Sequence, residues 1–171
     1  MHQKTNSSYG LNHDNFIGSL DQKNDFKNSW SDFFINQRLL PQLALGNFSP
    51  DFHSSFDKLF VKFDSLFPKE PPSLLHGDLW SGNFLAKNGD TPMLIDPAIY
   101  YGNREMDIAM SKLFGGFNSD FYFAYNESYP LENGWEERIQ ICNLYPLLVH
   151  VNLFGGAYIN QVKNILSYYV G

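Results

Sequence analysis

Residues Leu74–Asn83 read LLHGDLWSGN, and the fold turns on what those polar residues are for. A short apolar run leads into a histidine, an aspartate, an asparagine and two glycines. Alone, Asp78 followed after four residues by Asn83 is a weak signal, because a pair of Asx turns with capping carboxylates gives the same pattern. A second carboxylate strengthens it. Asp96 follows Asp78 by 18 residues and closes the piece PMLID. Between them NFLA and PMLID read as short strands on either side of an Asn/Gly-rich turn. Such a hairpin would return Asp96 to the side of Asp78 and Asn83. Two carboxylates and an amide oxygen suit a hard cation such as Mg²⁺, which keeps some waters and takes phosphate oxygens as its other ligands. A carboxylate not engaged by metal can orient a hydroxyl and receive its proton.

The bulk composition agrees with a folded, metabolite-handling domain. The 171 residues are 43 % apolar and 18 % charged, which fits one globular domain and excludes a disordered chain. Sixteen Phe and ten Tyr predict a dense aromatic core, or apolar surface awaiting a partner. The net charge of −6 argues against a nucleic-acid binder, which needs a basic footprint. One cysteine, Cys142, cannot form an internal disulfide. The opening MHQKTNSSYG has no signal-peptide core, and the longest apolar run, LYPLLV, is too short for a bilayer. These features predict a cytoplasmic chain with no membrane partner.

Along the chain, residues 1–27 are polar, with an apolar island at Phe16-Ile17, and read as an extended segment with a short strand. A helix begins near Ser29 and runs past Pro41 to a stop at Gly46. Ser49 and Pro50 open the next, whose stripe is Phe52, Phe56, Leu59, Phe60, Phe63 and Leu66. Pro68, Pro71 and Pro72 end it. From Arg104 the chain is helical again, with a final stretch from Trp135 to Val170 that is apolar almost all round and divided at Pro146 and at Gly155-Gly156. The predicted fold class is α+β, mostly helical, with a small β patch carrying the polar cluster.

The segments HGDLWSGN, LIDPAIYYGNREMDIAMSKLFGGF, FYFAY and GWEERIQICNLYPLLVHVNLFGGAY, with the early YGLNHDNFIGSLDQ, resemble the fructosamine (ketosamine) kinase family. That family is grouped with the aminoglycoside and choline phosphotransferases of protein-kinase-like fold. The resemblance implies ATP-dependent, Mg²⁺-assisted phosphorylation of a sugar hydroxyl on a ketoamine, small or carried on a glycated protein. It implies Asp78 as catalytic base, Asn83 and Asp96 as metal ligands, and His76 and Gly77 as shapers of the catalytic loop. Asp107 would brace that loop rather than bind metal. Trp80 either walls the sugar site or packs in the lobe. His150 and Asn152, polar within an apolar helix, either face the acceptor or are satisfied core groups. Arg104 and Glu105 are expected at the surface or as loop braces.

The family's remaining machinery is a Gly-rich loop, a strand lysine and its glutamate partner. The 171 residues contain no G-x-G-x-x-G and no VAIK-like strand. The resemblance therefore implies a C-terminal lobe over residues 28–171, preceded by a linker over 1–27, with little turnover on its own and an apolar rim that favours dimerisation. Two other readings stand beside it. One is a truncated or pseudokinase binding module, and the other is a kinase for another acceptor such as an aminoglycoside or choline.

Overall fold

The computed structural model describes residues 1–87 and 91–171. Strands β1 (Asn15–Ile17) and β2 (Leu20–Gln22) form an antiparallel hairpin. The first helical unit is α1 (Trp30–Phe33), a π-helical segment (Phe34–Leu39) and α2 (Leu40–Leu45). Its start is the Ser29 cap, whose hydroxyl accepts the Asp32 N–H, and it stops at Gly46. The π segment was not expected from periodicity. Pro41 has no N–H to continue an i→i−4 ladder, and just before it the Leu40 N–H donates to the Ile35 carbonyl instead.

Helix α3 (Pro50–Phe60) carries the Ser49 cap and Pro50 at its first position, and α4 (Phe63–Leu66) continues the same stripe. Phe56 and Phe63 are fully buried, and Trp30 stacks on Phe34, which stacks on Phe63. Much of the aromatic excess is core, while Phe16, Phe26, Phe123, Phe154 and Tyr168 are exposed. Phe56→Ala should therefore cost ~3–5 kcal/mol, read as a lowered urea midpoint; a loss below ~1 kcal/mol would contradict this packing.

After α4 come β3 (Ser73–Leu75), a 3₁₀ turn (Ser81–Asn83), β4 (Phe84–Lys87), β5 (Thr91–Leu94) and β6 (Tyr100–Gly102). The order of pairing is β3 with β6 and β4 with β5, both antiparallel. The turn between β4 and β5, residues 88–90, lies outside the described residues. The N-terminal residues run beside this patch, with Thr5 bridging Ser73 and Gly10 bridging Tyr101.

Helices α5 (Glu105–Leu113), α6 (Ser119–Ser128), α7 (Trp135–Cys142), α8 (Leu144–Phe154) and α9 (Ile159–Val170) complete the chain, with a 3₁₀ turn at Gly156–Tyr158. Two expectations for the last stretch are corrected. The break comes at Asn143, not Pro146, because Pro146 lies in the first turn of α8, where its missing N–H costs nothing. Burial on most sides holds for α8 alone; α7 and α9 each keep a solvent face. Among the described residues no helix is long and apolar enough to cross a membrane.

Candidate active site

Strand β3 delivers the loop His76–Asp78 to the centre of the patch. Gly77 has φ +81, and a Cβ there would collide with the Ala98 carbonyl, so only glycine fits the turn. The Ala98 N–H in turn donates to the His76 carbonyl at 2.8 Å. Helix α5 supplies the brace: Asp107, 1 % exposed, accepts the His76 N–H at 2.7 Å and the Gly77 N–H at 2.9 Å.

Asp78 leaves this turn half-buried. Asn83 Nδ2 donates to its Oδ2 and to its carbonyl, each at 2.9 Å. Burial pushes the Asp78 carboxyl above its ordinary range, while the Asn83 hydrogen bond and the nearby His76 and His150 pull it back.

The β4–β5 pairing sets Phe84 opposite Leu94, so Asn83 and Ile95 follow as neighbours, and the Ile95 N–H donates to the Asn83 carbonyl at 3.0 Å. His76 Nε2 donates to the Ile95 carbonyl at 3.0 Å, and its Nδ1 accepts the Asp78 N–H at 3.3 Å. One buried imidazole thus ties the Asp78 loop to the residue before Asp96. Asp96 itself is exposed, has φ 53, and bears electrostatically on Asp78. Among the described residues its carboxylate has no hydrogen bond or ion pair.

Other site candidates separate. Trp80 is half-buried over its own turn, where a Cβ on Gly82 would strike the indole. It is not among the groups lining the small cavity that Asp78 shares with His150. Asn152 points to α2, its Nδ2 donating to the Gln42 carbonyl and Oε1 at 2.9 and 2.8 Å. Arg104 and Glu105 are not surface groups. Each is 2 % exposed, Arg104 paired with Glu70 and Glu105 with Arg138, both at 2.6 Å.

Three supporting residues were not singled out from sequence. His2 Nε2 donates to Asp107 Oδ2 at 2.9 Å, and its Nδ1 accepts from the Tyr125 hydroxyl at 2.7 Å. Gln22, 1 % exposed, donates to the Ala98 carbonyl and accepts from the Tyr145 hydroxyl at 2.8 Å. Arg38 is fully buried, with its guanidinium 3.9 Å over the Tyr100 ring and Nη2 on Asn24 Oδ1. Together they pin residues 1–27 against the site. No local signal marks them, since their partners lie far along the chain.

Comparison with known proteins gives a consistent result. The family model described as fructosamine kinase matches residues 1–170. A protein of Enterococcus faecium described as a probable ketoamine kinase is 43 % identical over 173 residues, covering 98 % of this chain and 62 % of its own length. The Ketosamine-3-kinase of Mus musculus is 37 % identical over 154 residues, covering 87 % of this chain and 50 % of its own. A crystal structure from Thermobifida fusca, provisionally named a fructosamine-3-kinase, superposes with TM-score 0.90 at 39 % identity, covering 97 % of this chain and 59 % of that one. The chain thus spans 50–62 % of the length of these relatives.

Proposed function

The chain belongs to the fructosamine kinase family, and from that premise we propose that it supplies the base and metal-binding half of a site that phosphorylates a sugar hydroxyl of a ketoamine from ATP. The observation that carries the reading is the convergence of Asp78, Asn83 and the turn bearing Asp96, knitted together by His76. Asp78 is the base: it orients the acceptor hydroxyl and takes its proton as the oxygen attacks phosphorus. Asn83 fixes that carboxylate by holding one oxygen, which leaves the other for substrate.

The residues fit Mg²⁺. With Nδ2 spent on Asp78, Asn83 presents Oδ1, which has no hydrogen bond among the described residues, and Asp96 presents an unengaged carboxylate. Two protein oxygens suit an ion that completes its shell with phosphate oxygens and water. Bound there, the ion neutralises charge on the transferring phosphoryl group. A cytoplasmic location, where ATP is abundant, belongs to the same proposal. The acceptor is a ketoamine, free or on a glycated protein.

The 171 residues contain no G-x-G-x-x-G and no VAIK-like stretch to hold the phosphates. Transition-state stabilisation needs those preorganised charges in a water-excluded cleft, so the chain by itself should turn over orders of magnitude more slowly than a completed site. The test is a chimera joining these residues to the part of the Enterococcus faecium relative they do not span. Assayed with ATP, Mg²⁺ and a panel of fructosyl-amines, aminoglycosides and choline, it should phosphorylate fructosyl-amines alone. Phosphorylation of another panel member and of no ketoamine would refute the substrate class.

A further inference from the structure

The chain carries the tetrapeptide Leu-Phe-Gly-Gly twice, at Leu113–Gly116 and Leu153–Gly156. The two copies end different helices, α5 and α8, yet both phenylalanines meet on one side chain. The His150 ring lies 4.4 Å from the Phe114 ring and 5.4 Å from that of Phe154, and Tyr158 adds a third ring at 5.1 Å. Three of the four glycines, Gly115, Gly155 and Gly156, would point a Cβ into open space. Those glycines therefore lie open, and Phe154 is 67 % exposed. A cluster of four rings with an open flank is unusual for a core and suits a ligand.

His150 also shares a cavity with Asp78. Both line one cavity of about 20 Å³, together with Ile17, Gly77, Tyr145 and Val149. That space holds roughly one water-sized group, which is one hydroxyl. The aromatic cluster adjoins that cavity through His150, which belongs to both. The tautomer of His150 is set by its backbone: Nδ1 lies 2.8 Å from the Pro146 carbonyl, so Nδ1 donates and, in the neutral ring, Nε2 is an acceptor. Nε2 has no hydrogen bond among the described residues. No lysine or arginine lines the cavity, whose charged members are Asp78 and Asp107. Acceptor nitrogen, ring faces and carboxylates all select for a cation carrying N–H groups.

We propose that His150, framed by the two Leu-Phe-Gly-Gly turns, is the specificity-determining residue that recognises the secondary ammonium of the ketoamine. Its Nε2 accepts an N–H of that ammonium, while Phe114, Phe154 and Tyr158 present their faces to the charge and the flanking methylenes. The site thereby separates a sugar joined to an amine from a neutral sugar. This deepens the ketoamine reading and rests on it.

The test is binding of 1-deoxy-1-propylamino-fructose and its neutral isostere, 1-O-propyl-fructose, to the 171-residue chain, followed by titration calorimetry and the imidazole NMR signals. The amine should bind about tenfold more tightly than the ether, ~1.4 kcal/mol, and shift the His150 resonances. His150→Phe keeps the ring volume and removes the acceptor, so it should erase the preference without weakening the ether. His150→Gln, which restores an acceptor oxygen, should recover part of it. Phe154→Ala, at an exposed position, should lower amine affinity about threefold, ~0.65 kcal/mol. Equal binding of the two ligands by the wild type, or an undiminished preference in His150→Phe, would overturn the assignment. In either case fructosyl-amine phosphorylation by the chimera would keep the ketoamine reading standing. No binding of either ligand, with no phosphorylation by the chimera, would remove both.

Discussion

Asp78→Asn should abolish phosphoryl transfer in the completed enzyme and make the protein slightly harder to unfold at neutral pH. Loss of the proton acceptor should cost about 10³-fold or more in kcat, ~4 kcal/mol, with the KM for the ketoamine little changed. The fold should survive because the new side chain still offers an oxygen to Asn83 Nδ2, the Asp78 partner at 2.9 Å. The stability gain follows from the direction of the Asp78 shift. Burial raises its folded pKa above the ordinary 3.8, so between 3.8 and the folded value the native state binds more proton than the unfolded one. Stability then falls as pH rises through that window, and above it the cost of burying the charge is fully present. An amide carries no such cost. The same shift fixes the acid limb of kcat/KM: activity falls as pH drops through a value above 3.8. Turnover within tenfold of wild type would remove Asp78 from the role of base.

The residues around Asp78 were legible in sequence because they lie close along the chain, while their supports come from distant segments. Asp78, Asn83 and Asp96 lie within 19 consecutive residues, and the two short strands joining them announce themselves by turn chemistry and alternation. Helix α3 was equally plain, since Ser49, Pro50 and the phenylalanine stripe act within one element. The misreadings share a cause. Pro146 was taken as a break because its place within the helix depends on where α8 begins, and that is set at Asn143 by the packing of α7 and α8. The π segment before Pro41 needs knowledge of which carbonyl is left over. Arg104 and Glu105 read from sequence as surface or loop-bracing groups, and only Glu70 and Arg138, 34 and 33 positions away, decide for bracing. Tyr145 reaches Gln22 across 123 positions, a pairing no local pattern encodes. His150 reads from sequence as either facing the acceptor or satisfied in the core; its ring partners lie on two turns, one 36 residues earlier at Phe114.

Asp107→Ala should be the most destabilising single change near the site, at ~3–5 kcal/mol. The carboxylate is 1 % exposed and accepts three N–H groups: the backbone of His76 at 2.7 Å, the backbone of Gly77 at 2.9 Å and His2 Nε2 at 2.9 Å. Truncation leaves those donors buried without partners, each costing roughly 1–3 kcal/mol. Asp107→Asn is no rescue, because its NH₂ must then face an N–H wherever it turns, and it should lose at least half as much. The chain of bonds continues outward, since the Tyr125 hydroxyl donates to His2 Nδ1 at 2.7 Å. Burial pushes the Tyr125 phenol up to about 12, so it remains a donor throughout the neutral range. The distinguishing readout is local. Amide exchange at His76 and Gly77 should accelerate more than the global loss of stability requires, because the α5 brace holds the loop that aims Asp78. Urea unfolding of Asp107→Ala within ~1 kcal/mol of wild type, or unaltered exchange at those two amides, would show that the loop is held by β3 and the Ala98 contact instead.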